Sequence, residues 1–310
     1  MKVLIFGGKT GWIGKFCVDH CQRNAISYIV AESRLENREH ILEELNTTRP
    51  THVFNCAGLV GSPTIDSLEL KREETVRVNV TGTLNLADCC HLVGIHLTVF
   101  ATGCIFKYDN DHPIGGLGYK EEDVPNFHGS FYSHTKAIVE DLLGNFSNCL
   151  VLRIRMPIDD KLTSRNFITK ILSYRRVIDV PNSMTVLSDL IPVAFEAANT
   201  NTTGILNFTN PGVISHNEIL SLYKKMIDPS YIWQNFTLAE EEKVLKVGRS
   251  NNCLDTSKLK KLFPQIPDIR ISMVEVFVRM RAQIEHQGKS SLQKDGWIFP
   301  PARDPVVFSQ

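Results

Sequence analysis

The chain has 310 residues, 34 Lys plus Arg against 34 Asp plus Glu, and 43% hydrophobic residues. That supplies a sizeable globular core and is unlike a disordered or fibrous chain. The even charge balance, with no long basic run, excludes an electrostatic footprint for nucleic acid or an anionic membrane, so an anionic ligand needs a local cationic pocket.

Met1 to Phe6 is a short apolar run that passes straight into glycine-rich sequence, without the apolar core and cleavage site of a signal peptide. No stretch approaches the roughly 20 apolar residues of a spanning helix. A cytoplasmic location is expected. The eight cysteines, at 17, 21, 56, 89, 90, 104, 149 and 253, show no paired CxxC spacing, which predicts reduced thiols and no metal site.

Along the first half, short apolar runs alternate with helical patterns. Strands are predicted at Val3–Phe6, Tyr28–Ala31, Val53–Cys56, Leu97–Ala101 and Leu150–Arg153, with helices near 12–23, 37–47, 70–93 and 131–145. This is the pattern of βαβ units around a parallel sheet. After Met156-Pro157 the alternation weakens, and Pro181, Pro192, Pro211 and Pro229 punctuate shorter elements. Residues 1–157 are therefore read as a nucleotide-binding domain and 158–288 as mainly a smaller substrate-binding lobe. Gly204–Phe208 is read as a strand returning to the main sheet, which interweaves the two. The remainder, 289–310, loses helical periodicity and is left as a tail without a role.

Gly8-Lys9-Thr10-Gly11-Trp12-Ile13-Gly14 lies between the first strand and the first helix, where a backbone free of side chains can approach a pyrophosphate at helix N-terminal amides. Strand before and helix after make this a dinucleotide-binding turn, and the fold class α/β, a Rossmann-type doubly wound parallel sheet. Cofactor choice is read after the second strand. Glu32 suits the ribose hydroxyls of NADH, whereas Ser33, Arg34 and Lys9 suit the 2′-phosphate of NADPH. The reading favours NADPH and keeps NADH open.

Tyr132 and Lys136 form a YxxxK pair one turn apart on one helix face. A cation beside the phenol is expected to lower its pKa toward neutrality, so that it donates a proton to a carbonyl as hydride arrives. Thr102, at the end of the Leu97–Ala101 strand, is placed to hydrogen-bond the same oxygen.

These motifs resemble the extended short-chain dehydrogenase/reductases, in the reductase family that includes dTDP-4-dehydrorhamnose reductase, and within it the plant-type bifunctional epimerase/reductases that make UDP-rhamnose. The strings GKTGWIGK, SRLENR, PTHVFN, ATGCIFKYD, GSFYSHTKA, RNFITK, PNSMT and FTNPGVISHNEIL carry the resemblance from residue 4 to about 263. His134 between Tyr132 and Lys136, Glu32 before Ser33, and the tail beyond Gly288 depart from it.

The resemblance implies a nucleotide-sugar substrate, UDP-4-keto-6-deoxy-D-glucose, epimerised at C3 and C5 and reduced at C4, with a homodimer as the assembly to test. It places Asn55, Ala57 and Gly58 beside the cofactor and gives Asn79 a structural role. It makes Cys104 and Lys170 an acid/base pair for epimerisation, Arg249 a diphosphate ligand, and Asn166 and Asn182 weaker candidates for sugar or base contacts. A monofunctional 4-keto-sugar reductase and a non-catalytic NADP-binding regulator stay open as other readings, though an intact Thr102, Tyr132 and Lys136 speaks against the second.

Overall fold

The computed structural model describes residues 1–61, 65–236, 240 and 248–301. Strands β1 (Lys2–Phe6), β2 (Ser27–Val30), β3 (His52–Asn55), β4 (His96–Thr102), β5 (Cys149–Ile154) and β7 (Gly204–Asn207) form a six-stranded sheet in the order β2-β1-β3-β4-β5-β7. Every pairing is parallel. The chain steps one way from β1 to β2 and the other way to β3, so the crevice for a ligand opens beyond the carboxyl ends of β1 and β3.

Side chains alternate across the strands and fill two separate cores. Val3 and Ile5 pack with α1 (Trp12–Arg23) and α7 (Leu187–Asn199) on one face. Leu4 and Phe6 pack with α2 (Arg38–Thr48), α4 (Thr83–Leu92) and α5 (Phe131–Leu143) on the other. All five predicted strands are present, shifted by at most a residue or two at their ends. The Gly204 segment does return to the sheet, with Leu150 of β5 in register with Gly204.

A third core gathers residues after 157. Ile158, Ile168 and Ile171 of the α6 region (α6, Phe167–Ser173) meet Ile219 and Tyr223 of α8 (His216–Met226) and Met273, Phe277 and Met280 of a long helix, Ile269–Gln287. A two-stranded pair, β6 (Arg176–Val177) with β8 (Gln234–Asn235), flanks it. No helix among the described residues is long and apolar enough to cross a membrane.

Three details differ from the sequence expectation. The helix predicted over 70–93 is α3 (Arg72–Thr75), then a π-helical turn (Val76–Gly82), then α4. Pro192 does not end an element but sits inside α7, where the buried Leu190, Ile191, Val193 and Ala194 hold the helix against the sheet despite one missing N–H. The segment after Gly288 is not detached. It forms a six-residue helix, Lys289–Lys294, buries Leu292 and Trp297 in the third core, and donates from the Ile298 N–H to the Leu162 carbonyl at 2.6 Å. Residues 302–310 of the predicted tail lie outside the described residues.

Candidate active site

The glycine turn packs backbone against backbone. The Gly11 N–H donates to the Gly7 carbonyl at 2.9 Å. A Cβ on Gly14 would stand 2.2 Å from that same oxygen, and one on Gly11 would stand 2.5 Å from it. A Cβ on Gly7, at φ +79°, would stand 2.9 Å from the backbone of Cys56 and Ala57. Side chains are thus excluded from the loop, and α1 begins at Trp12 with no side-chain cap and no acidic residue in its first turn. Among the described residues no side chain caps these first amides, an arrangement that fits a dinucleotide pyrophosphate.

At the neighbouring strand end, Asn55 Oδ1 accepts from the Ala57 N–H at 3.0 Å. Asn79 clamps the next residues, accepting from the Leu59 N–H and donating to the Leu59 carbonyl at 2.8 and 2.9 Å. The π-helical turn aims Asn79 inward. A Cβ at Gly58 would lie 3.2 Å from Asn79 Oδ1 and 3.8 Å from Lys136 Nζ, so the cofactor-side loop and the catalytic helix meet here.

The cationic candidates after β2 are compensated. Lys9 pairs with Glu32 at 3.2 Å and Arg34 with Glu36 at 2.9 Å, both on open surface, while the Ser33 hydroxyl donates to the His40 carbonyl. Exposed pairs of this kind are worth little and exchange readily for a phosphate. Arg34 shares its surface pocket with Arg38 and Arg77, two arginines the sequence reading did not single out.

Tyr132 and Lys136 project from α5, whose first turn is fixed by Ser130 accepting from the Ser133 N–H at 3.0 Å. Both side chains are buried, with Lys136 Nζ 6.0 Å from the Tyr132 ring centre. Burial raises the Tyr132 pKa above the usual phenol value, the Cys104 sulfur adds to this, and a hydrogen bond with Thr102 opposes it. The expectation of a phenol pushed toward neutrality is therefore reversed in the protein alone, because desolvation dominates. The phenol stays protonated, which suits a proton donor. Burial also lowers Lys136 to about 8, against the pull of Glu140 one turn further on.

Thr102 and Cys104 share one turn past the end of β4, where the Cys104 N–H donates to Thr102 Oγ1 at 3.1 Å. Gly103 between them is required, since a Cβ would come within 2.6 Å of Leu254 and 3.1 Å of the Arg155 stem. Lys170, on α6, lies near enough to the Cys104 sulfur to interact with it electrostatically. Crowding by protein lowers its pKa, Arg165 adds to the effect and Cys104 opposes it. Its side chain still reaches solvent, so the site is open on that side.

The structure does not bring every candidate to the cleft. Asn166 is wholly buried as the N-cap of α6, accepting from the Ile168 N–H and donating to the Asp159 and Lys161 carbonyls. Asn182 is equally buried; it accepts from Arg155 and the Asn252 N–H and donates to Val180 and Asn251. Both are engaged in local turn and network chemistry. Arg249 forks onto Asp66 at 3.0 and 3.2 Å, a carboxylate held where its planar fork would suit a phosphate.

The sequence is similar to known proteins over most of its length. Residues 1–215 match the family model described as the RmlD substrate binding domain. A bifunctional dTDP-4-dehydrorhamnose 3,5-epimerase/dTDP-4-dehydrorhamnose reductase of Arabidopsis thaliana is 53% identical over 270 residues, 86% of this chain and 90% of the relative. A trifunctional UDP-glucose 4,6-dehydratase/UDP-4-keto-6-deoxy-D-glucose 3,5-epimerase/UDP-4-keto-L-rhamnose-reductase of the same plant is 52% identical over 89% of this chain, which spans only 41% of that longer relative. The crystal structure of the L780 UDP-rhamnose synthase from Acanthamoeba polyphaga mimivirus superimposes with a TM-score of 0.85 at 42% identity, over 89% of this chain and 98% of that one. With the glycine turn and the YxxxK pair on the strands and helix described above, the chain belongs to the RmlD substrate binding domain family.

Proposed function

We propose that the chain converts UDP-4-keto-6-deoxy-D-glucose to UDP-L-rhamnose by epimerisation at C3 and C5 followed by NADPH-dependent reduction at C4. One observation carries this reading: Thr102 and Cys104 at the end of β4 meet Tyr132 of the YxxxK pair on α5, and Lys170 of the other lobe lies near enough to Cys104 to interact with it electrostatically. The names of the similar plant and viral proteins support both halves of the reaction, and the viral name supports UDP. Residues 1–157 with the return strand serve the cofactor, and the lobe after 157, now extended to 301, serves the sugar.

A ketone at C4 acidifies the protons on C3 and C5, so enolate chemistry precedes reduction. Cys104 and Lys170 are the proton-transfer pair for both carbons. In the reduction, Thr102 hydrogen-bonds the C4 oxygen and Tyr132 protonates it. A bound nicotinamide cofactor supplies the hydride. Gly8, Gly11, Gly14 and the first amides of α1, including those of Trp12 and Ile13, hold its pyrophosphate beside Lys9 and Thr10. Lys136, next to Gly58, holds its ribose, and Arg249 takes the substrate diphosphate in exchange for Asp66.

Incubation with UDP-4-keto-6-deoxy-D-glucose and NADPH, without any added epimerase, is expected to yield the L-rhamno product by NMR. A D-configured 6-deoxy sugar instead would establish the monofunctional reductase, and no NADPH oxidation would revive the regulatory reading. For the cofactor, Arg34 beside Arg38 and Arg77 supports a 2′-phosphate. Arg34→Ala is expected to lower kcat/KM with NADPH by tenfold or more and leave NADH almost unaffected, since a charge-assisted phosphate contact is worth about 1.5 to 3 kcal/mol. Equal kcat/KM for the two cofactors in the unmodified enzyme would refute this.

A further inference from the structure

Two arginines lie two residues apart at the end of β5, and both are 1% exposed. Arg153 has its counter-charge: Glu140 accepts from its guanidinium at 2.7 and 3.0 Å. Arg155 has none among the described residues. Its fork donates to the carbonyls of Gly103, Ser183 and Ser250, to the Ser250 hydroxyl and to Asn182 Oδ1, all neutral acceptors. Its remaining partner is Cys104 Sγ, 3.8 Å from Nη1. The groups able to carry negative charge near it are Cys104, Cys253 and the Tyr108 phenol. Tyr108 donates its hydroxyl to the Pro181 carbonyl and Cys253 donates to its neighbour's carbonyl, which leaves the Cys104 sulfur as the one directed at the guanidinium and at the sugar cleft.

A wholly buried cation with no carboxylate is costly to keep, and such groups gather at functional sites. The contacts that hold it are elaborate. Gly103 must lack a side chain to let the Arg155 stem pass, and Ser250, 95 residues away, is fixed by donating to the Phe106 carbonyl so that it can accept from Arg155.

We propose that Arg155 is a positioning residue for the epimerisation step: it holds Cys104 Sγ toward the sugar and stabilises negative charge on it, making Cys104 the member of the pair that takes protons. The inference rests on the epimerase/reductase reading above. In the step, the Cys104 thiolate removes the proton from C3 or C5, and the electron pair left on carbon moves onto the C4 oxygen as an enolate within reach of Thr102 and Tyr132. The Lys170 ammonium then protonates the same carbon from the opposite face and the ketone re-forms. A Cys104 thiol and a neutral Lys170 amine remain, and both reset by proton exchange with solvent. Arg155 donates to the sulfur, and Lys170 and Tyr132 lie near enough to interact with it electrostatically.

The test compares the unmodified enzyme with Arg155→Met, which keeps the stem and removes the charge. Three rates are measured: deuterium incorporation at C3 and C5 in heavy water, NADPH oxidation with a sugar already epimerised, and alkylation of Cys104 by iodoacetamide at neutral pH, read by mass spectrometry. Exchange is expected to fall at least tenfold further than reduction, and Cys104 alkylation to slow about tenfold. Should Arg155→Met not fold, Arg155→Lys withdraws the charge from the sulfur and is read in the same way, with exchange falling at least threefold further than reduction. Equal losses of exchange and reduction would mean a merely structural arginine, and unchanged alkylation would mean that the guanidinium does not act on the sulfur; either overturns the proposal. No exchange in the unmodified enzyme would overturn the epimerase reading itself, and this inference with it.

Discussion

Tyr132→Phe is expected to lower reduction of a pre-epimerised 4-keto sugar by roughly a hundredfold or more, equivalent to about 2.7 kcal/mol of transition-state stabilisation. The substitution deletes one hydroxyl from a ring already packed in the protein, so α5 and its Ser130 cap stay in place. What is lost is the proton that must reach the C4 oxygen as hydride reaches the carbon. Because burial raises the Tyr132 pKa, the phenol is protonated throughout the neutral range and the loss should be as large at pH 6 as at pH 8. Thr102 can still hydrogen-bond the oxygen but has no acidity to match a phenol, and Lys136, on the cofactor side at Gly58, is not placed to substitute. Initial rates of NADPH oxidation measure the effect, with NADPH affinity by fluorescence titration as the control. Near-normal reduction with intact NADPH binding would show that the acid is another group.

The sheet and the glycine turn were legible because each is written in adjacent residues. Val3 to Phe6 alternates between two cores, and Gly11 and Gly14 stand where only a backbone can pass Gly7. The YxxxK pair was legible for the same reason, being one turn of one helix. What escaped depends on residues far apart. Asn166 and Asn182 look like ligands in a motif, but their side chains are engaged by backbone groups, Arg155 and Asn251, which only the fold reveals. Arg155 itself carried a faint signal, as one of two arginines spaced like the buried positions of a strand, yet its meaning depends on Gly103, Ser183 and Ser250. The short helix after Gly288 is too brief to show a period, and Trp297 finds its core only by folding back on Leu162. The phenol's pKa went the wrong way in sequence reasoning because the neighbouring ammonium is visible in the motif and the desolvation is not.

Cys104→Ala and Lys170→Ala are each expected to abolish most inversion at C3 and C5, read as L-rhamno product by NMR, by roughly a hundredfold or more for loss of a proton-transfer group, while reduction of the pre-epimerised sugar falls far less. The separation follows from placement. Cys104 shares a turn with Thr102, so the epimerisation and reduction groups approach one sugar from adjoining positions without sharing a proton. Lys170 comes from α6, packed in the other core, and is near enough to the sulfur to interact with it electrostatically; the proposed inversion needs it on the side of the sugar opposite Cys104. Crowding lowers the Lys170 pKa, so its ammonium gives up a proton more readily than an ordinary lysine. Its exposure to solvent lets the proton be replaced between turnovers. A Lys170→Arg variant sharpens the comparison: the positive charge stays near the sulfur, but the guanidinium holds its proton too firmly to deliver it, so inversion should remain as low as in Lys170→Ala. Inversion restored by Lys170→Arg would reduce Lys170 to an electrostatic partner of Cys104, and normal inversion in both alanine variants would remove the pair from the mechanism altogether.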